Sequence, residues 1–198
     1  MLGAMTESAA MSPPRIRLTR ADCAVLEMAG RFDHQKVELI EGELINKTPK
    51  NWPHVKALIL LQNWLVQVFG FLYVAPEAPI NVSPEDDPTN EPMPDLIVLN
   101  RPCTDFEGKT KPSPQDLRMI VEISDTTLRF DMTVKAALYA RAGIAEYWVL
   151  DIGGRRLAVH REASKGEYQS VTWFSESESV APLSAPESKI TIASLFAI

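Results

Sequence analysis

The sequence has few cysteines, no excess of basic residues and no long apolar run. Each of these features argues against a particular kind of site or class of protein. Only two of its 198 residues are cysteines, Cys23 and Cys103, and neither has another Cys or a His at the spacing of metal ligands. We therefore expect no structural zinc site. A disulfide between the two stays open, but two reduced thiols fit a reducing compartment better.

Basic residues are outnumbered by acidic ones. There are 20 Lys and Arg against 26 Asp and Glu, which gives a formal net charge of -6. Proteins that bind nucleic acid tightly usually present a broad basic surface, because phosphate contacts supply most of the non-specific affinity. The charge therefore argues against tight unassisted DNA binding. A local basic cleft, or a metal site that neutralises its own carboxylates, stays open.

No apolar stretch reaches the roughly 18 residues that a membrane-spanning helix needs. The longest candidate, residues 55–74, is interrupted by Lys56, Gln62 and further polar residues. The first residues also lack the charged start and apolar middle of a secretory signal peptide. We therefore expect a cytoplasmic protein with no membrane partner.

Length and composition are those of one ordinary globular domain. The sequence is 45% hydrophobic and 23% charged. Residues 1–15 are small, polar and contain prolines, which predicts a disordered segment. We assign residues 16–198 to a single domain.

Periodicity and turn residues predict an α+β fold, with a mixed central β-sheet and flanking helices. Thr19 and Asp22 predict a capped helix to about residue 29, and Glu41-Gly42 predicts the turn of a hairpin over 37–45. Asp131 is the predicted N-cap of a later helix. Helices are predicted over 54–69 and 131–141, a helical turn over 193–196, and strands over 80–82, 95–99, 117–124, 146–151, 156–161, 168–173 and 189–191.

The helix predicted over 54–69 is apolar around most of its circumference. Such a helix is either central to the core or shared with a partner subunit. From this helix, and from the need to address both strands of a duplex, we predict a homodimer. His54 opens the helix and either caps it, packs in the core or lines a site.

Two carboxylates lie in predicted strands whose other residues are mostly apolar, as in strands that are buried on both faces. Asp95 begins Asp-Leu-Ile-Val-Leu, and Glu122 lies within Met-Ile-Val-Glu-Ile-Ser. An ionised carboxylate in such surroundings is costly unless a cation or a hydrogen-bond donor meets it. If the strands are neighbours, both carboxylates lie at one end of the sheet, where they would suit a hard cation such as Mg²⁺ or Mn²⁺.

Lys135 supplies a third candidate group. It lies beside the apolar stripe of the predicted helix, where it can lean over the preceding strand towards Glu122. There it would orient an attacking water or stabilise charge on a phosphate. Plainer readings stay open: an exposed ion pair of Lys135 with Asp131, a turn-capping Asp95, and a buried Glu122 ion pair without catalytic purpose.

Several segments together resemble the Uma-type putative restriction endonucleases, a bacterial family of the PD-(D/E)XK nuclease-like superfamily. The resemblance runs in order from about residue 18 to 197, and the stretch over 143–151 is its most specific part. The segments are Val-Glu-Leu-Ile-Glu-Gly-Glu-Leu at 37–44, Pro-Asp-Leu-Ile-Val at 94–98, Val-Glu-Ile-Ser at 121–124, Asp131 with Lys135, Leu-Tyr-Ala-Arg-Ala-Gly-Ile at 138–144 and Glu-Tyr-Trp-Val-Leu-Asp at 146–151.

The resemblance implies a restriction-endonuclease-like core and a Mg²⁺-dependent endonuclease, with Mn²⁺ as a possible substitute, that cleaves DNA. It implies that Asp95 and Glu122 hold the metal. Ser124 stands where the motif has its lysine, and Lys135 from the following helix would replace it. A further acid often comes from the N-terminal region, and we choose Glu43 from the glutamates at 38, 41 and 43.

Two alternatives to DNA cleavage stay open from the sequence. The acidic net charge and the displaced lysine fit a non-catalytic interaction or assembly module that keeps the fold. Hydrolysis of another phosphate ester would use the same residues.

Overall fold

The structure is a computed structural model that describes residues 15–33, 35–47 and 50–196. The disorder predicted for residues 1–15 falls, except for residue 15, outside the described residues. None of the described helices is long and apolar enough to cross a membrane.

A six-stranded mixed β-sheet forms the centre of the molecule, which confirms the α+β prediction. Its strand order is β3-β4-β5-β6-β7-β8, and every neighbouring pair is antiparallel except β5 and β6. The parallel pair is joined by a helical crossover, as parallel strands require. The strands are β3 (Val74–Pro76), β4 (Leu96–Leu99), β5 (Leu117–Ser124), β6 (Glu146–Asp151), β7 (Arg156–Ser164) and β8 (Glu167–Phe174).

Two small antiparallel pairs flank this sheet. Strands β1 (Val37–Ile40) and β2 (Glu43–Asn46) form the predicted hairpin, with Glu41 and Gly42 at its turn in the left-handed backbone region. Strands β9 (Ser179–Val180) and β10 (Ile190–Thr191) form the second pair. A 3-10 turn at Ile192–Leu195 follows, close to the predicted helical turn.

Apolar side chains cover both faces of the sheet, which explains why the central strands read as continuous apolar runs. Helix α2 (Trp52–Phe69) packs on one face, where Leu61 and Leu65 meet Val121 and Trp148. On the other face, Ile97 and Ile120 pack with Tyr139 and Tyr147. Most of the apolar side chains around α2 therefore pack into the core.

Helix α1 (Arg20–Met28) has no buried residue, and its predicted cap is confirmed. The Thr19 side chain accepts a hydrogen bond from the Asp22 backbone, and the Asp22 carboxylate accepts one from the Thr19 backbone. Arg20 holds the helix to the fold, since its guanidinium donates to the Asn90 carbonyl at 2.7 Å and to Asn81 Oδ1 at 2.9 Å.

The crossover helix differs from its prediction at its start. It begins at α3 (Leu128–Phe130), passes through a π-helical turn at Asp131–Lys135 and continues as α4 (Ala136–Arg141). Thr127, and not Asp131, is therefore the N-cap residue. The Asp131 carboxylate instead accepts hydrogen bonds from Ser124 and from Thr127, so it is turned inward.

The strand predicted at 80–82 is absent, and β3 takes the edge position instead. The segment over 80–82 is extended but bonds to loops: the Ile80 backbone donates to the Pro92 carbonyl and that of Asn81 to the Pro112 carbonyl. Nearby prolines remove donors that a sheet ladder would use.

Candidate active site

A cavity of about 280 Å³ opens beside the start of β4 and the end of β5. It lies between the hairpin, the first turn of α2 and the helical crossover. Five carboxylates and three lysines are among its lining residues, so the group carries more acid than base. The lining comprises Glu38, Ile45, Lys47, Lys50, Asn51, His54, Asp95, Glu122, Asp125, Thr126, Thr127, Phe130, Asp131 and Lys135.

The register of β4 and β5 brings Asp95 and Glu122 together. Ile97 is paired with Ile120 in the antiparallel ladder, so the positions at 95 and 122 lie opposite each other on the same sheet face. The backbone amide of Ile123 donates to Asp95 Oδ2 at 2.8 Å. Both carboxyl residues are only 3% exposed.

Lys135 lies at the centre of the acidic group. Its Nζ is 2.8 Å from Glu122 Oε1, 2.8 Å from Glu38 Oε1 and 3.9 Å from Asp131 Oδ1. The Tyr139 hydroxyl donates to the same Glu122 oxygen at 3.2 Å. The π turn sets the positions of Asp131 and Lys135, and such turns frequently occur at functional sites.

Burial and charge shift the pKa values of this group in a consistent way. Burial raises the pKa of Glu122 to about 8; Lys135 opposes that shift, and Asp95 and Asp131 add to it. Burial alone would lower the pKa of Lys135, but Glu122, Glu38 and Asp131 outweigh it and raise that pKa. Because one ammonium faces several carboxylates, Lys135 stays cationic, while the raised pKa of Glu122 favours its protonated form near neutral pH.

Asp95 has different surroundings, in which cations prevail. Lys50 Nζ is 2.9 Å from Asp95 Oδ1, Lys47 Nζ is 3.6 Å from the same oxygen, and His54 Nε2 is 3.2 Å from Oδ2. Burial would raise the pKa of Asp95, but the His54 hydrogen bond and the two lysines hold it well below its usual range. Lys50 also contacts Glu77 Oε1 at 2.9 Å.

The structure brings three of the four sequence-chosen site residues together. Asp95, Glu122 and Lys135 line the one cavity, whereas Glu43 lies outside it. Glu43 is beside the hairpin turn, its side chain is 54% exposed, and Arg15 meets its carboxylate at 3.2 Å. Glu38, which was the less favoured choice, occupies the cavity instead.

Lys47, Lys50 and the inward role of Asp131 were missed from the sequence. The two lysines lie in a polar segment before α2, where charged residues usually face solvent. A hint was available for Asp131, because it lies four residues from Lys135 on the same helical face. His54 lines the cavity, which is one of the roles that the sequence left open.

The donor chemistry of the cavity fits a hard divalent cation. Asp95 and Glu122 offer carboxylate oxygens, and Glu122 Oε2 accepts no hydrogen bond from a described residue. Within ranges 15–33, 35–47 and 50–196, no three His, Cys, Asp or Glu side chains form a ready metal cluster. A bound ion would therefore complete its coordination with water, as Mg²⁺ commonly does.

Comparisons with known proteins give a family-model match and a solved structure of similar fold. The family model described as Uma2, putative restriction endonuclease, matches residues 24–193. A solved structure from Anabaena variabilis ATCC 29413, described as a putative nuclease belonging to DUF820, is similar in fold with a TM-score of 0.61 and 17% sequence identity. The similarity covers 81% of this chain and 89% of that chain. A search of curated proteins finds no match.

Proposed function

The chain belongs to the Uma2 family of putative restriction endonucleases, and we propose that it hydrolyses phosphodiester bonds in DNA with a divalent metal ion. One observation carries the proposal: Asp95, Glu122 and Lys135 line a single cavity at the edge where β4 begins and β5 ends. Hydrolysis of a phosphodiester needs stabilisation of negative charge and a positioned water, and these groups can supply both.

Asp95 and Glu122 would hold the ion, with Mg²⁺ as the expected metal and Mn²⁺ as a substitute. When bound, the ion would lower the pKa of a water and neutralise charge on the phosphate. Lys135 would donate hydrogen bonds to the attacking water or to the phosphate oxygens. Glu38 and Asp131 fix the ammonium group between the strands and the helix, so that it does not have to reorganise.

Cleavage of closed circular plasmid tests the proposal, because relaxation of a closed circle requires an endonuclease. We expect nicking or linearisation with Mg²⁺ or Mn²⁺ and none with EDTA. Asp95→Asn and Glu122→Gln should each lower the rate at least about 100-fold, since a bound Lewis acid contributes several kcal/mol.

Asp105→Asn is a suitable control, because Asp105 is exposed in the 3-10 turn after β4 and lies outside the cavity. Circular dichroism should show that all variants are folded. Absence of cleavage under every metal condition, or equal cleavage rates for Asp95→Asn and the control, would contradict the proposal.

A second candidate is a non-catalytic assembly module that keeps the nuclease fold. The observation that favours it is that Lys50 and Lys135 already form ion pairs with Asp95 and Glu122. Isothermal titration calorimetry separates the two candidates. A nuclease should bind Mn²⁺ and lose that binding in Asp95→Asn, whereas an assembly module should show no heat above dilution.

A further inference from the structure

Trp52 is a large aromatic side chain left in solvent next to the candidate active site. It is 73% exposed, whereas Trp148 is fully buried and Trp173 is 36% exposed under the Arg156 guanidinium. Within the described part of the chain, neither an aromatic ring nor a cation lies on the Trp52 ring. Most of the Trp52 side chain is therefore accessible to a partner.

Trp52 lies between residues of the cavity and residues of a second, basic groove. Asn51 and His54 line the cavity, while Pro53 and Lys56 line a groove of about 350 Å³ between α2 and the C-terminal 3-10 turn. Trp52 lies between these residues in the first turn of α2. Trp52 lines neither space, but its chain neighbours Asn51 and Pro53 line the cavity and the groove respectively.

The charged residues of this groove are both basic. Lys56 is exposed and forms no ion pair with a described residue, while Arg155 is held by Glu176. The groove lining, as far as the structure describes it, contains no acidic residue. Lys56 is therefore the positive charge of this groove that no described carboxylate neutralises, and it suits the negative charge of a phosphate backbone.

We propose that Trp52 stacks on an unpaired base of a single DNA strand whose backbone contacts Lys56. Aromatic side chains interleaved with basic groups are the usual platform for single strands, since every base has a π-face. In a duplex those faces are already occupied by neighbouring bases. The inference rests on the proposed function in one respect: it assigns single-stranded or locally unpaired DNA as the substrate of the same site.

Fluorescence anisotropy with a labelled 12-nucleotide oligo-dT strand tests the inference, with EDTA present so that no cleavage occurs. Trp52→Ala should weaken binding about tenfold, and Trp52→Phe should stay within about threefold of the unaltered protein because an aromatic face remains. The 12-base-pair duplex should bind more weakly and should not respond to Trp52→Ala.

Two control variants distinguish base stacking from electrostatic attraction and from non-specific binding by exposed aromatic residues. Phe71→Ala removes another exposed aromatic residue, 77% exposed and beyond the far end of α2, and should leave binding unchanged. Lys56→Ala should weaken binding and reduce the slope of log affinity against log salt by about 0.7, as expected for one lost phosphate contact. Trp52→Ala should leave that slope unchanged.

Equal loss of strand and duplex binding in Trp52→Ala, or no loss of either, would overturn the inference. So would a change in molecular mass on light scattering, because Trp52 would then hold a second copy of the chain. Since binding is measured without metal, its outcome is independent of cleavage. A protein that binds the strand through Trp52 but cuts no DNA would refute only the proposed function.

Discussion

Glu38 and Glu43 face the same side of one hairpin, yet they have different surroundings. Glu38 is paired with Ile45 and Glu43 with Ile40, so alternation along the strands does not distinguish them. Their distance from the turn does. Glu38 lies two residues further from the turn than Ile40 and reaches Lys135, whereas Glu43 adjoins the turn and faces Arg15.

This difference predicts which glutamate matters for activity. In the plasmid assay, Glu38→Gln should lower cleavage at least about tenfold, because Lys135 loses one of the carboxylates that position it. Glu43→Gln should keep the rate of the unaltered protein. Similar losses of activity in both variants, or a loss only in Glu43→Gln, would contradict the prediction that Glu38 is the hairpin glutamate that matters for activity.

His160 gives a prediction for stability against pH. Its ring lies between Tyr147 and Tyr168, and Nε2 is buried without a hydrogen-bond partner among the described residues. Burial lowers the pKa of His160, and a hydrogen bond with the Tyr147 carbonyl offsets only part of that shift. The folded protein therefore keeps the ring neutral at a pH where the unfolded chain, with a pKa of about 6.5, takes up a proton.

Lowering the pH from 8 to 5.5 should therefore destabilise the unaltered protein relative to His160→Asn, in which no ring can be protonated. Urea unfolding at both pH values measures the change in the free energy of unfolding, and that change should be less favourable to the folded state for the unaltered protein than for the variant. Asn retains a donor for the Tyr147 carbonyl. Equal changes in the two proteins would show that His160 does not titrate in this way.

Three of the site residues could be chosen from the sequence because each conflicts with its local pattern. Asp95 and Glu122 interrupt apolar strands, and Lys135 adjoins an apolar helical stripe. Lys47 and Lys50 create no such conflict, because a polar segment before a helix tolerates them. Only the tertiary structure shows that both turn towards Asp95.

At the scale of elements, the end of α4 depends on a backbone conformation that favours glycine. Gly143 has φ of +74°, and the backbone amide of Ile144 reaches back to the Tyr139 carbonyl at 3.0 Å. A Cβ added at Gly143 would meet no atom of a described residue within 4 Å. Any cost of a larger residue there is therefore conformational and not steric.

Gly143→Ala should lower the free energy of unfolding by about 1–2 kcal/mol, the cost of the left-handed conformation for an L-residue. Gly153→Ala is the matched control, because an added Cβ there would make only an ordinary 3.8 Å contact with Asp151. Chemical denaturation measures both. A Gly143→Ala protein as stable as the control would contradict this account of the helix end.

Elements with strong local signals were predicted well, and those fixed by tertiary contacts were not. The bounds of β5 agree with the prediction of 117–124, since its apolar run is long and bounded by a loop. The start of the crossover helix was wrong, because Asp131 resembles a cap by residue type while its carboxylate bonds to Ser124. Three-residue β3 has no repeat long enough to detect.

At the scale of the whole molecule, homodimerisation stays a prediction. The sheet covers most of the apolar surface of α2 that motivated it, and Trp52 and Ile59 remain exposed. Light scattering at micromolar concentration should give a mass of twice 22.0 kDa. A strict monomer would contradict the prediction and would leave the candidate site complete within one chain.

The antiparallel pairing of β4 and β5 has a practical consequence. The connection between these strands, residues 100–116, leaves β4 and enters β5 at the end of the sheet opposite Asp95 and Glu122. Within that connection, a Cβ added at Gly108 would meet no atom of a described residue within 4 Å. An epitope tag or a fluorescent protein inserted at Gly108 would therefore label the molecule for imaging without changing any residue that lines the cavity.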